Sequence, residues 1–137
     1  MNDPATRKTL IWGWGLLTVF LPLGLTLEAL HALKIPVYLD SHMRRELWTL
    51  AHAHGNLLGL LCLVFGAVGQ RIVSDTATRA AVSLWLRLGA VLMPLGFFFG
   101  GVLNHEGDPS LAILLVPLGG VILFYALVRA GLAALRS

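Results

Sequence analysis

Residues 47–70 read "LWTLAHAHGNLLGLLCLVFGAVGQ". The run contains no Asp, Glu, Lys or Arg and exceeds the roughly 20 apolar residues that cross a bilayer. It reads as a lipid-facing helix. It also carries two histidines one residue apart, His52 and His54. A histidine in hydrocarbon is costly and marks function by default.

Working outward from this span (about 46–70), three more segments qualify, at about 9–33, 80–103 and 110–131. The breaks between them, "KIPVYLDSHMRRE", "RIVSDTATR" and "NHEGDPS", carry turn residues, charge or proline. Asp40 or Ser41 is placed to cap the second helix and Ser110 the fourth. Connections this short make neighbouring helices antiparallel. The expected fold is all-α, an integral membrane four-helix up-down bundle forming a single domain over residues 1–137.

Composition agrees. The chain is 57% hydrophobic and 12% charged, where a soluble domain is about a quarter charged, and its mean hydropathy is +0.80. The net charge of +3 comes from basic residues scattered between apolar runs. With no basic patch, nucleic acid is not an expected partner, and the lipid bilayer is. Cys62 is the single cysteine, without a thiol to pair with, and reads as a small buried hydrophobe. The basic flank and long apolar run at the N-terminus read as a retained first span, because no small-x-small cleavage site follows.

Orientation follows from lysines and arginines near the span ends. Arg7, Lys8, Arg71, Arg79, Arg129 and Arg136 fall on one side, with Arg87 two turns into the third span; Lys34, Arg44 and Arg45 fall on the other. The bias places both termini in the cytoplasm of an inner-membrane protein. A short echo, "VFLPLG" (19–24) against "VLMPLG" (91–96), suggests two related hairpins side by side.

In this orientation all five histidines, His31, His42, His52, His54 and His105, lie toward the outer face. At about 1.5 Å per residue, Glu28 lies roughly 8 Å in from the outer end of the first span. By the same rise His52 and His54 lie roughly 9–12 Å in from the start of the second. Glu28, His31, His52, His54, Asn56 and His105 can therefore share one layer, with Asn104 at its edge. Glu28 and His31 are one face of a helix, as are His52 and Asn56. His54 is turned about 200° from His52, so the two address different neighbours.

Small residues Ala51, Gly55 and Gly59, and Gly96 with Gly100, would let another helix approach closely. That helix could belong to the same chain, a homo-oligomer or a larger complex. His42 and Glu46 are expected in a solvated loop, and Glu106 and Asp108 in a turn. Trp12, Trp14, Trp48 and Trp85 suit interfacial anchoring. Phe97–Phe99 suits packing. Glu28 is the hardest to explain as structure, since a carboxylate at that depth is expensive unless paired or protonated.

Glu28, His31, His52, His54 and His105 form a candidate metal shell of oxygen and nitrogen ligands suited to Fe, Cu or Zn, with Asn56 and Asn104 orienting them. Alternatively, imidazoles such as His52, His54 or His105 could ligate a haem iron. Residue types leave these alternatives open.

The stretch "AHAHGNLLGLLCLVFG" (51–66) resembles the second helix of subunit I in the haem-copper oxidase and nitric oxide reductase superfamily. The resemblance implies that His52 or His54 is a haem ligand near the outer end of its helix. It covers sixteen residues, and the oxidase catalytic core is absent, so no oxidase activity follows. A second resemblance is to membrane-associated glutathione-transferase-like proteins, carried by Ala53, His54 and Asn56. Gly59 stands where that family has Glu, and the preceding Arg is displaced to Arg44 and Arg45.

The leading expectation is a multi-pass inner-membrane protein with a haem or metal site at its extracytoplasmic end and a redox or electron-transfer role. The alternatives are the transferase and a non-catalytic subunit of a membrane complex.

Overall fold

The structure is a computed structural model that describes residues 3–104 and 107–136. Helix α1 runs Pro4–Ala32, a one-turn helix α2 runs Pro36–Leu39, α3 runs His42–Ile72 and α4 runs Thr76–Val102. A 3-10 turn, Leu111–Leu114, leads into α5, Leu115–Ala134. Four of these helices are long and apolar enough to cross a membrane, the last counted together with its leading turn. The chain is a multi-pass, all-α membrane bundle of antiparallel spans.

The first three spans begin earlier than hydropathy alone places them, because caps set their ends. Asp3 caps α1 by accepting from Thr6 N (2.9 Å), with Pro4 in the first turn. Of the two candidates for α3, Ser41 is the cap, its hydroxyl accepting from Arg44 N (3.2 Å). His42 and Glu46 thus lie in the first turns of a helix rather than in a loop, exposed and 3.5 Å apart. Asp75 caps α4 through Thr78 N (2.7 Å). Ser110 precedes the 3-10 turn, but its hydroxyl donates to Phe99 O (2.9 Å) and caps nothing.

Helix α1 packs most extensively on α3, and α4 on α5, with α3 against α4 joining the pairs. The bundle is thus two helical hairpins packed side by side. Helices α1 and α5 do not meet. Leu16, Phe20, Ala51, Leu58, Cys62, Phe65, Leu86 and Leu123 form the core. Around it, Val19, Leu57, Val64, Val121 and Phe124 are more than half exposed, as lipid-facing side chains are.

The small-residue stripes serve contacts within the chain. A Cβ on Gly59 would press on Gly13 O at 3.2 Å, and one on Gly96 would meet the Val116 backbone nitrogen at 2.9 Å.

The end of the bundle near Asp3 is closed by buried polar side chains. Arg79 donates to Val73 O (2.7 Å) and Ser74 O (3.0 Å) and forms an ion pair with Asp3 (3.3 Å). The Arg79 guanidinium beside it, with the Thr6 amide, holds the Asp3 carboxyl below its ordinary pKa. Thr9 and Ser83 hydroxyls are hydrogen-bonded across α1 and α4, and Ser83 also donates to Ala5 O (2.8 Å).

A candidate cofactor cleft between α1 and α3

At the opposite end, α2 folds over the junction of α1 and α3. Lys34, with φ of 53°, turns the chain out of α1, and Pro36 starts the short helix. Tyr38 is thereby buried (6% exposed). Its ring stacks on Trp48 (6.2 Å), which stacks in turn on Phe98 of α4 (5.6 Å). Trp48 Nε1 donates to Phe98 O (3.1 Å), so this tryptophan ties α3 to α4. Trp12 and Trp14 remain exposed.

Arg44 locks the same end. Its guanidinium donates to Val37 O, to Gly101 O (3.1 Å) and to Asn104 Oδ1 (3.1 Å). Asn104 Nδ2 donates to Ser41 Oγ (3.1 Å). Asn104 therefore joins the α3 cap to the end of α4, and no hydrogen bond links it to a histidine among the described residues.

Under Tyr38 lies a cleft of about 460 Å³. Glu28, Tyr38, Thr49 and His52 are its polar lining, and Leu21, Leu25 and Leu27 supply apolar walls. His52 reaches across from α3 and lies on the backbone of α1 at Gly24. A Cβ at Gly24 would stand 2.6 Å from His52 Nδ1. The three PLG triplets (22–24, 94–96 and 117–119) act alike: Gly24 admits a side chain of α3, Gly96 the backbone of α5 and Gly119 the backbone of α4.

His52 Nδ1 lies 2.7 Å from Phe20 O. Asn56 Nδ2 also lies 3.1 Å from this Nδ1. A carbonyl oxygen only accepts, so the shorter contact is a hydrogen bond when Nδ1 carries the hydrogen, and in that tautomer the Asn56 contact is not one. In the neutral ring this leaves Nε2 as an unprotonated acceptor, with no hydrogen-bond partner among the described residues. Asn56 Nδ2 donates to His52 O (2.8 Å). Its Oδ1 is buried without a hydrogen-bond partner, a spare acceptor one turn from His52.

The other sequence candidates distribute around this end. His31 lines a neighbouring cleft of about 640 Å³ with Tyr38, His42, Arg45, Glu46 and Thr49. His31 is exposed, and its ring meets Tyr38 edge-on at 6.4 Å. His54 turns toward α4, where its ring lies 4.9 Å from Phe97 and its Nδ1 is 2.9 Å from Leu50 O. His105 lies outside the described residues, as does Glu106.

Glu28 and His52 therefore share one cleft, His31 borders the next, and His54 faces elsewhere. Among the described residues no three His, Cys, Asp or Glu side chains gather as a metal-ligand set. Ala53, His54 and Asn56, which carry the transferase resemblance, diverge around α3: Ala53 is exposed, His54 meets α4, and Asn56 lies one turn beyond His52.

Sequence reading missed Tyr38 and Thr49, which both clefts share. Their signal was faint, since Tyr38 falls in a break between spans and Thr49 is a neutral residue within one. Comparison with family profiles, with curated proteins and with solved structures finds no match to this chain.

Proposed function

We propose that this multi-pass membrane protein holds a haem through His52 and serves a one-electron redox role at the end of the bundle capped by α2. The observation that carries this reading is the His52 Nδ1–H···O=C Phe20 bond. It favours the tautomer with hydrogen on Nδ1, over the longer Asn56 Nδ2 contact, and so supports Nε2 as the ligand nitrogen, as at metal-binding histidines. Haem suits the site better than a bare ion. A structural or catalytic metal ion takes three or four protein ligands, whereas haem is held by as few as one axial imidazole against apolar walls. Glu28 and His52 with Leu21, Leu25 and Leu27 supply that lining.

When bound, haem would supply the electron transfer. The chain's own part is to orient the imidazole through Phe20 O, to cover the cleft with Tyr38, and to set the exposed Glu28 on the same lining as His52. Charge bias at the span ends supports placing this end outside the cytoplasm, within reach of an extracytoplasmic electron donor.

The test is an absorption spectrum with elemental analysis of protein purified from haem-sufficient cells. The expected result is a Soret band and stoichiometric iron, both lost in His52→Ala and kept in His42→Ala. Stoichiometric zinc or copper without a Soret band would overturn the haem assignment. A Soret band unchanged in His52→Ala would overturn the ligand.

A further inference from the structure

The other end of the bundle holds a second concave site, independent of the cofactor reading. Helix α5 buries Gly119, Leu123 and Ala126 and no residue beyond them. A wedge of about 410 Å³ remains between the start of α4 and the last turns of α5. Ser74, Asp75 and Thr78 line one side, and Arg129, Leu132 and Arg136 the other.

Arg129 lies in the last turns of α5 and Arg136 in the turn that follows it, and both line the wedge. Arg129 is held in place by Tyr125, with its Nη1 3.4 Å from the hydroxyl and its guanidinium 5.9 Å from the ring centre. The ion pairs among the described residues are His42–Glu46 and Asp3–Arg79, so neither wedge arginine has an acidic partner there. Asp75 is the one acidic side chain of the lining, and its carboxylate caps α4 at Thr78 N. Leu132, at 47% exposure, carries the wall of the wedge out to the lipid-facing surface.

We infer that this wedge binds the phosphate of an anionic phospholipid headgroup. Guanidinium groups recognise phosphate bidentately, and basic pockets between spanning helices take anionic headgroups. The position favours lipid over a soluble phosphate, because the wedge sits at the ends of two spans and opens along an apolar wall.

The experiment measures thermal unfolding of the purified full chain in detergent with added phosphatidylglycerol, phosphatidylcholine or inorganic phosphate. Native mass spectrometry counts the lipid retained. Phosphatidylglycerol is expected to raise Tm by several degrees over phosphatidylcholine in the wild type. The same rise is expected in Arg7→Gln/Lys8→Gln, which removes equal charge at the same end outside the wedge. The double variant Arg129→Gln/Arg136→Gln is expected to lose most of the rise and the bound lipid. Arg136→Gln alone, in the turn that follows α5, is expected to lose part of both, which keeps the test open if the double variant misfolds. An equal rise with phosphatidylcholine, or a rise undiminished in the wedge variants, would overturn the site. An equal rise with inorganic phosphate would make it a soluble-anion site and overturn the lipid assignment.

Discussion

Gly24 and His52 show how much one missing Cβ decides. Alanine is normally favoured over glycine within a helix by about 0.5–1 kcal/mol. At Gly15, where nothing lies within 4 Å of a built Cβ, Gly15→Ala is expected to stabilise by about that amount. At Gly24 the Cβ would occupy the His52 ring. The imidazole is the end of a mobile side chain, so it will swing away rather than spread the helices. Gly24→Ala is therefore expected to change Tm little while releasing Nδ1 from Phe20 O and lowering occupancy of the proposed haem several-fold, read from the Soret absorbance per protein. Retained occupancy would mean that the ring does not depend on this contact. The two histidines of the AHAH stretch were legible as facing apart, because helical geometry sets that angle. Which nitrogen is committed to a carbonyl was not legible, since it depends on where Gly24 of another helix comes to lie.

Helix ends were the least legible elements. Hydropathy marks where lipid begins, but a helix starts where a side chain can take up its free N–H groups. Asp3 and Asp75 do so several residues before the apolar runs. Arg79 read as a cytoplasmic charge, yet it is buried because Asp3 and two carbonyls receive it. Asn caps as well as Asp, so Asp3→Asn isolates the ion pair. Its loss is expected to cost about 1.5–3 kcal/mol at pH 7, the scale of hydrogen bonds to charged groups. The Asp3 carboxyl is lowered in the folded chain, so its contribution is present above the unfolded value of about 3.9 and fades as pH falls through the folded value. Unfolding curves for wild type and Asp3→Asn are expected to differ at pH 7 and to converge below about pH 4. A gap constant across that range would remove the ion pair as its cause.

For the whole molecule, span count and antiparallel order were legible because bilayer thickness fixes helix length. The order of contacts was not, and α1 and α5 prove to be separated. Orientation is testable directly: reporters fused to either terminus are expected to be active only as cytoplasmic fusions, and the reverse would turn the His52 cleft inward. Separation of the outer helices also predicts independence. A Cβ at Gly119 would meet the Met93 backbone nitrogen at 2.9 Å, which cannot yield as a side chain can. Gly119→Val is expected to destabilise by about 1–3 kcal/mol through overpacking and to leave the Soret maximum of the remaining folded protein unchanged. A shifted maximum would show that α5 reaches the His52 environment.

All the residues that line the His52 cleft fall between Leu21 and His52. Every wall is therefore synthesised before α4 begins at Thr76. The support of that lining comes later: Tyr38 stacks on Trp48, which stacks on Phe98 of α4, and Arg44 beside them donates to Gly101 O, so the lining belongs to the first hairpin and its buttress to the second.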